Sequence, residues 1–200
     1  MTNQGEPMAD AVMVQDAPSK FTPHPEGQYP AVCVDVINLG ERLQTFGGKI
    51  SIKPKLALVF RTGQRRDDGE PFEIAAEFTA SLHDKAGLRQ FMESWRGKAY
   101  TADQIAAGVQ VDKMEGAKAL LSIMHHTAAN SGRVYGKIQS VMRLPAGLEV
   151  PDTGKYQRAE YWATKKEAYA AEVKAHRAHH AATPHDDYAA PADDDADLPF

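Results

Sequence analysis

Cysteine occurs once in the 200 residues, at Cys33, so no disulfide can form within the chain and its cohesion has to come from packing. A lone thiol fits a reducing compartment. No stretch reaches the ~20 apolar residues of a membrane helix. The N-terminus lacks a basic segment leading into an apolar run, so a cytoplasmic protein with neither membrane association nor secretory signal is expected. Catalytic apparatus is missing as well. There is no nucleophile–base–acid set and no glycine-rich phosphate loop ahead of a helix, and the paired carboxylates fall in tails or turns. The histidines do not complete a metal set. His125 and His126 are neighbours in a strand and point to opposite faces. His176 and His180 have helical spacing but no cysteine or acid to finish a zinc site. The expectation is a non-enzyme with no metal and no cofactor.

Charge of one sign is also missing locally, and that is more informative than the net charge of -4. Residues 1–19 carry three acids and no base, and residues 179–200 carry six acids and no base. Residues 20–150 hold 17 Lys/Arg against 14 Asp/Glu, and residues 151–178 six against four. A basic body with an acidic tail points to a polyanionic partner. Within the body, residues 42–66 contain seven bases (Arg42, Lys49, Lys53, Lys55, Arg61, Arg65 and Arg66) and not one acid.

Elements follow from periodicity. Residues 1–24 mix Gly, Pro, Ala and Asp without a repeat and are expected to be a disordered arm. After the turn Pro25-Glu26-Gly27, residues 29–37 alternate, with Val32, Val34 and Val36 on one face and Ala31, Cys33 and Asp35 on the other. Phe46-Gly47-Gly48 reads as a flexible loop tip. In the second strand Leu56, Leu58 and Phe60 point inward, and Lys55, Val59 and Arg61 share the outer face. Asp68-Gly69 supplies a hairpin turn into a third strand, where Phe72, Ile74, Ala76 and Phe78 alternate with Glu73, Ala75 and Glu77. The period then changes: Leu88, Phe91, Met92 and Trp95 mark one side of a helix over 84–96 that Gly97 stops. Thr101-x-x-Gln104 has the form of a capping box for a short turn ending at Gly108. Two further strands, 117–126 and 133–144, are joined by Asn130-Ser131-Gly132. In the last strand Tyr135, Lys137 and Arg143 are expected on the outer face, opposite Val134, Ile138 and Met142. Residues 156–178 read as a helix with Trp162, Tyr169 and Val173 on one side, able to dock on the body or on another copy in a homo-oligomer.

Three strands, a helix and two strands is the order of a mainly β, five-stranded oligonucleotide-binding barrel, a partly open Greek key with its helix between strands three and four. The expected organisation is an arm over 1–24, a barrel over 25–150, a helical extension over 151–180 and an acidic tail over 181–200. Single strands are held by a cationic groove and by aromatic rings on which bases stack. The candidate contacts are Phe46, Lys49, Lys53, Lys55, Arg61, Arg65, Arg66, Arg133, Tyr135, Lys137 and Arg143. Glu73 and Glu77 turn the third strand away from that role, and Phe60, Phe78 and Trp95 belong to apolar sets of the core.

The chain closes with Asp193, Asp194, Asp195, Ala196, Asp197, Leu198, Pro199 and Phe200, four carboxylates in five positions followed by an apolar terminus. Two apolar side chains cannot offset the entropy of ordering such a peptide alone, but as a ligand it can place Phe200 in a pocket and its acids on a basic rim. These eight residues resemble the acidic tip of bacterial single-stranded DNA-binding proteins. The body, from Pro25 through residues 56–62 to Leu144, is similar in pattern to the barrel domains of phage-encoded single-stranded DNA-binding proteins. The resemblance implies a protein of DNA replication or recombination in the host bacterial cytoplasm. It would coat single-stranded DNA and recruit other replication proteins through Asp193, Asp194, Asp195, Asp197, Leu198, Pro199 and Phe200. A protein–protein adaptor without nucleic-acid binding and a single-strand annealing protein are the alternatives.

Overall fold

The computed structural model describes residues 22–150 and 152–182. Strands β1 (Gly27–Phe46), β2 (Lys49–Arg65) and β3 (Pro71–Thr79) come first. Helices α1 (Gly87–Arg96) and α2 (Ala102–Ala107) and a 3-10 turn (Val111–Met114) follow, then β4 (Lys118–Thr127), β5 (Val134–Arg143) and helix α3 (Tyr161–Ala182). The strands make one antiparallel sheet in the order β3-β2-β1-β4-β5. Each neighbour reverses direction, so the two edge strands β3 and β5 run parallel. They approach one another beside α1, but among the described residues no ladder joins them, and the sheet stays open along this seam.

Several expectations hold at the level of single residues. Thr101 Oγ1 accepts from Gln104 N and the Gln104 side chain accepts from Thr101 N, the reciprocal pair of a capping box. Gly97 ends α1 in the left-handed region. Trp95 is buried and donates through Nε1 to the Lys118 carbonyl. Phe60 is in the core and Phe78 packs against it. Other boundaries move. The first helix starts at Gly87 instead of residue 84. Order also begins before Pro25: His24 is buried, its Nε2 is 2.7 Å from Thr62 Oγ1, and its carbonyl meets His125 Nε2 at 2.9 Å. Residues 1–21 lie outside the described region, as does the tail beyond Ala182.

The inner face of the sheet holds the main core, in which Cys33, Leu58, Phe60 and Leu121 meet Leu88, Met92 and Trp95 of α1. Burial pushes the Cys33 thiol up to about 12, so it packs as a small apolar group and is not a nucleophile. A second core lies on the outer face, where Ile37, Leu39, Ala57 and Val59 pack against Trp162 and Tyr169 of α3. Trp162, Tyr169 and Val173 are all buried, so the apolar side read from their spacing docks on the chain's own sheet.

β1 serves both cores because its register slips. Cys33 pairs with Phe60 and Asp35 with Val59, which leaves Val34 as an extra residue, a β-bulge. The bulge breaks the expected alternation: Val34 packs with the outer cluster and Val36 with the inner one. It also turns the Asp35 carboxylate outward beneath residues 152–160. Asp35 is only 3% exposed, and it accepts from Tyr156 Oη at 2.9 Å and from Arg158 Nε and Nη2 at 2.6 and 2.5 Å. Arg61 secures the same segment by donating to the Thr153 and Lys155 carbonyls at 3.1 Å. Lys165 of α3 pairs with Glu77, and Tyr169 Oη donates to Glu77 Oε2 at 3.1 Å.

Two outcomes follow from this docking. Trp162→Ala should cost about 3–5 kcal/mol, the usual range for deleting a buried tryptophan. The loss should be read as a lower urea midpoint with faster amide exchange along α3; unchanged exchange there would contradict the docking. The second concerns pH. Burial opposes ionisation of Asp35, but the hydrogen bonds from Arg158 and Tyr156 and the Arg158 charge outweigh it and hold the carboxyl below its ordinary value. Its stabilisation is therefore complete above the unfolded carboxylate value of ~3.9 and is lost as pH falls through the lower folded value. In Asp35→Asn the unfolding free energy at pH 7, measured by urea titration, should be lower by about 1.5–3 kcal/mol for the charged hydrogen bonds, and should fall less than wild type's below pH ~4.

Candidate nucleic-acid interface

β1 and β2 run on past the body as a two-stranded arm. Register is unbroken from Gly40↔Lys55 to Phe46↔Lys49, and β3 pairing stops at Lys55↔Thr79. Six residue steps carry the arm roughly 20 Å beyond that point. Its end is a two-residue turn, Gly47-Gly48, with φ of 56° and 78°. Positive φ at both positions is what a type I′ hairpin needs, and glycine adopts it without strain. The expected loop tip is thus the end of a paired ribbon.

Residues directly opposite in an antiparallel pair share a face. One face of the arm therefore carries Arg42 with Lys53, Gln44 with Ser51, Phe46 with Lys49, and Lys55 at its root. It has four bases, an aromatic ring and no acid. Phe46 is 84% exposed, and Arg42, Lys49 and Lys53 are exposed with it. The other face carries Glu41, Leu43, Thr45, Ile50, Ile52 and Pro54, and Glu41 pairs with Arg177 of α3 at 2.8 Å. Lys55 is half-buried, donating to Thr79 Oγ1 at 2.8 Å and Gln44 Oε1 at 3.3 Å. Burial and the nearby Arg42 charge lower its pKa against the pull of Glu77. Arg42 lies over the Tyr169 ring at 4.7 Å. Arg42 lies outside the contacts expected from the sequence, although the β1 alternation continued past Gly40 reaches it.

The other candidates are not gathered on this surface. Arg61 is 6% exposed and pairs with Glu73 at 2.6 Å, so it is a structural cation beneath residues 153–155. Its outer face is as expected, but α3 and its leading segment cover that face. Arg65 donates to the Gly69 carbonyl and Arg66 pairs with Asp68 at 3.3 Å, both at the far end of β2 from Phe46. At ~3.3 Å per residue the 17 residues of β2 have a contour of roughly 50 Å, so the acid-free run of the sequence is not one groove. Arg133 and Tyr135 are near that same far end, where β4 turns into β5.

The last strand departs from simple alternation. Ser122 pairs with Ser140 and Ile123 with Ile138, so Gln139 is an extra residue. Beyond it the phase reverses: Val141 enters the core and Met142 is 45% exposed. Tyr135 and Lys137 keep the outer face, across from His126 and Met124, but Arg143 falls on the opposite face, across from buried Ala119. Tyr135 and Lys137 also line the open seam between β3 and β5, a groove of about 560 Å³ that includes Phe78, Phe91 and Ile138. The expected tail contacts, Asp193, Asp194, Asp195, Asp197, Leu198, Pro199 and Phe200, lie outside the described residues. No helix among the described residues is long and apolar enough to cross a membrane. Compared with protein-family models, with curated proteins and with solved structures, the chain gives no match.

Proposed function

We propose that the chain is a non-enzymatic protein that binds single-stranded DNA without sequence preference in replication or recombination, and that it recruits other proteins through its acidic C-terminal tip. The observation that carries this reading is the arm face on which Arg42, Lys49 and Lys53 flank an exposed Phe46 with no acid among them. Phosphates need spaced cations and bases need a ring to stack on, and this surface has both. The sheet order, with a helix between β3 and β4 and an open seam between β3 and β5, accords with an oligonucleotide-binding barrel. In that architecture the β2–β3 face is a usual ligand surface. Here α3 lies over the outer face at β1 and β2, which moves the grip outward to the arm. The same covering favours a second reading, an adaptor that uses sheet and tail to bind proteins.

Titration with oligothymidylate across a salt series separates the two. A nucleic-acid binder loses affinity with salt at a slope of about -0.7 per phosphate neutralised, whereas an adaptor shows no binding to lose. Lys49→Gln with Lys53→Gln should flatten the slope by about 1.4. Phe46→Ala should remove one stacking contact, ~1–3 kcal/mol or about 5- to 150-fold in affinity. Wild-type affinity in both variants would remove the arm from the reading. Deleting residues 193–200 should raise DNA affinity at low salt, because the acidic tip competes for the same cations; equal or weaker binding would count against that competition.

A further inference from the structure

We propose that a cleft formed by Arg96, Lys98 and Arg143, at the end of the sheet from which the arm projects, is a binding site for a phosphate group. The anion chemistry stands on its own residues, and only the identification of a nucleic-acid backbone as its source rests on the function proposed above. The cleft has a volume of about 300 Å³ and is lined by Trp95, Arg96, Lys98, Met114, Ala117 and Arg143. Three of these six are cations and none is an acid. Ligand pockets start at about this size.

Three separate elements bring the charges together. Arg96 is the last residue of α1, Lys98 follows the Gly97 turn, and Arg143 ends β5 on the face to which the Gln139 bulge shifts it. A cation at a helix C-terminus also compensates the helix dipole. That role does not account for how Arg96 is held. Its guanidinium lies 4.0 Å over the Tyr100 ring, and its Nη1 is shielded from solvent with no acceptor among the described residues. Glu93, the acid near it, is engaged by Arg89 Nε at 2.9 Å and by the Tyr100 amide at 3.0 Å. A shielded donor without an acceptor is costly, and buried polar groups otherwise find partners. Rotation of the Arg96 head into the cleft would pair that donor with an incoming oxyanion, and a planar guanidinium matches a phosphate in two-point contact. Lys98 and Arg143 would supply the remaining charge.

Inorganic phosphate is the first probe, added to the full-length protein at constant ionic strength set with chloride, with the Arg96 Nε and Trp95 indole signals followed by NMR. Saturable shifts are expected, weakened about tenfold in Arg143→Gln and in Lys98→Gln, the scale of one charge-assisted hydrogen bond. Both of these side chains leave the core intact, so the test does not depend on the stability of an Arg96 variant. Oligothymidylate is the second probe. If it displaces phosphate from the same signals, and Arg143→Gln flattens its salt slope by about 0.7, the source is a nucleic-acid backbone. If phosphate saturates the cleft while oligothymidylate leaves those signals unmoved, the site stands as one for a free phosphate or a small phosphorylated ligand, whatever becomes of DNA binding at the arm. Shifts no larger than chloride alone produces, or wild-type affinity in both variants, would overturn the proposal.

Discussion

The residues Leu56, Ala57, Leu58, Val59 and Phe60 are buried on both sides of the sheet, and this one constraint organises the molecule. A strand without a polar face cannot border water, so each side needs a cover. On the inner side the sheet curls over its own core and α1 fills the open end. On the outer side α3 supplies the cover, since Trp162, Tyr169 and Val173 present the matching apolar stripe. The polar residues that remain on that outer face are then consumed in holding the cover down. Asp35 takes Arg158 and Tyr156, Arg61 takes Glu73 and two carbonyls, and Glu77 takes Lys165 and Tyr169.

That commitment decides where a ligand can be met. The middle of β2 is spoken for on both faces. Charge left for a partner is found where β1 and β2 outrun their neighbours, at the arm, and where chain ends converge, at the termini of α1 and β5. The bulges at Val34 and Gln139 contribute equally. One lets a single strand feed two cores, and the other moves Arg143 from the company of Tyr135 and Lys137 to that of Arg96 and Lys98.

Much of this was legible from the sequence where a pattern is local. The capping box at Thr101 and Gln104, the stop at Gly97, the α1 stripe ending in Trp95 and the α3 stripe from Trp162 to Val173 are each set by spacing within a few turns of backbone. What alternation could not reveal is a change of phase. A strand with an extra residue still looks alternating over any short window, so Val34 and Val36 read as companions, and Arg143 reads as sharing a face with Tyr135. Nor could the sequence tell that Arg61 is a buried structural cation. Its partners, Glu73 and the carbonyls of Thr153 and Lys155, lie 12 to 94 positions away, and burial of a charge is visible only once they are in place. The arm is hidden for the same reason: Gly47-Gly48 signals a turn, but the length of paired strand leading to it depends on register.

The distribution of charge matters more than its sum. At physiological ionic strength fields between exposed groups decay over ~8 Å, while the two ends of β2 are separated by a contour of roughly 50 Å. Arg65 and Arg66 at one end therefore add nothing to the potential around Lys49 and Lys53 at the other. A surplus of three positive charges over residues 20–150 would be too thin to attract a polyanion if spread evenly. It becomes effective only where it is concentrated: Glu73 is paired with Arg61, Glu77 with Lys165 and Glu93 with Arg89, and the arm face that groups Arg42, Lys49, Lys53 and Lys55 carries no acid. Phe46, Lys49 and Lys53 thus stand beyond the end of the β3 pairing and outside both core clusters, so their charge and ring are not committed to the packing of either.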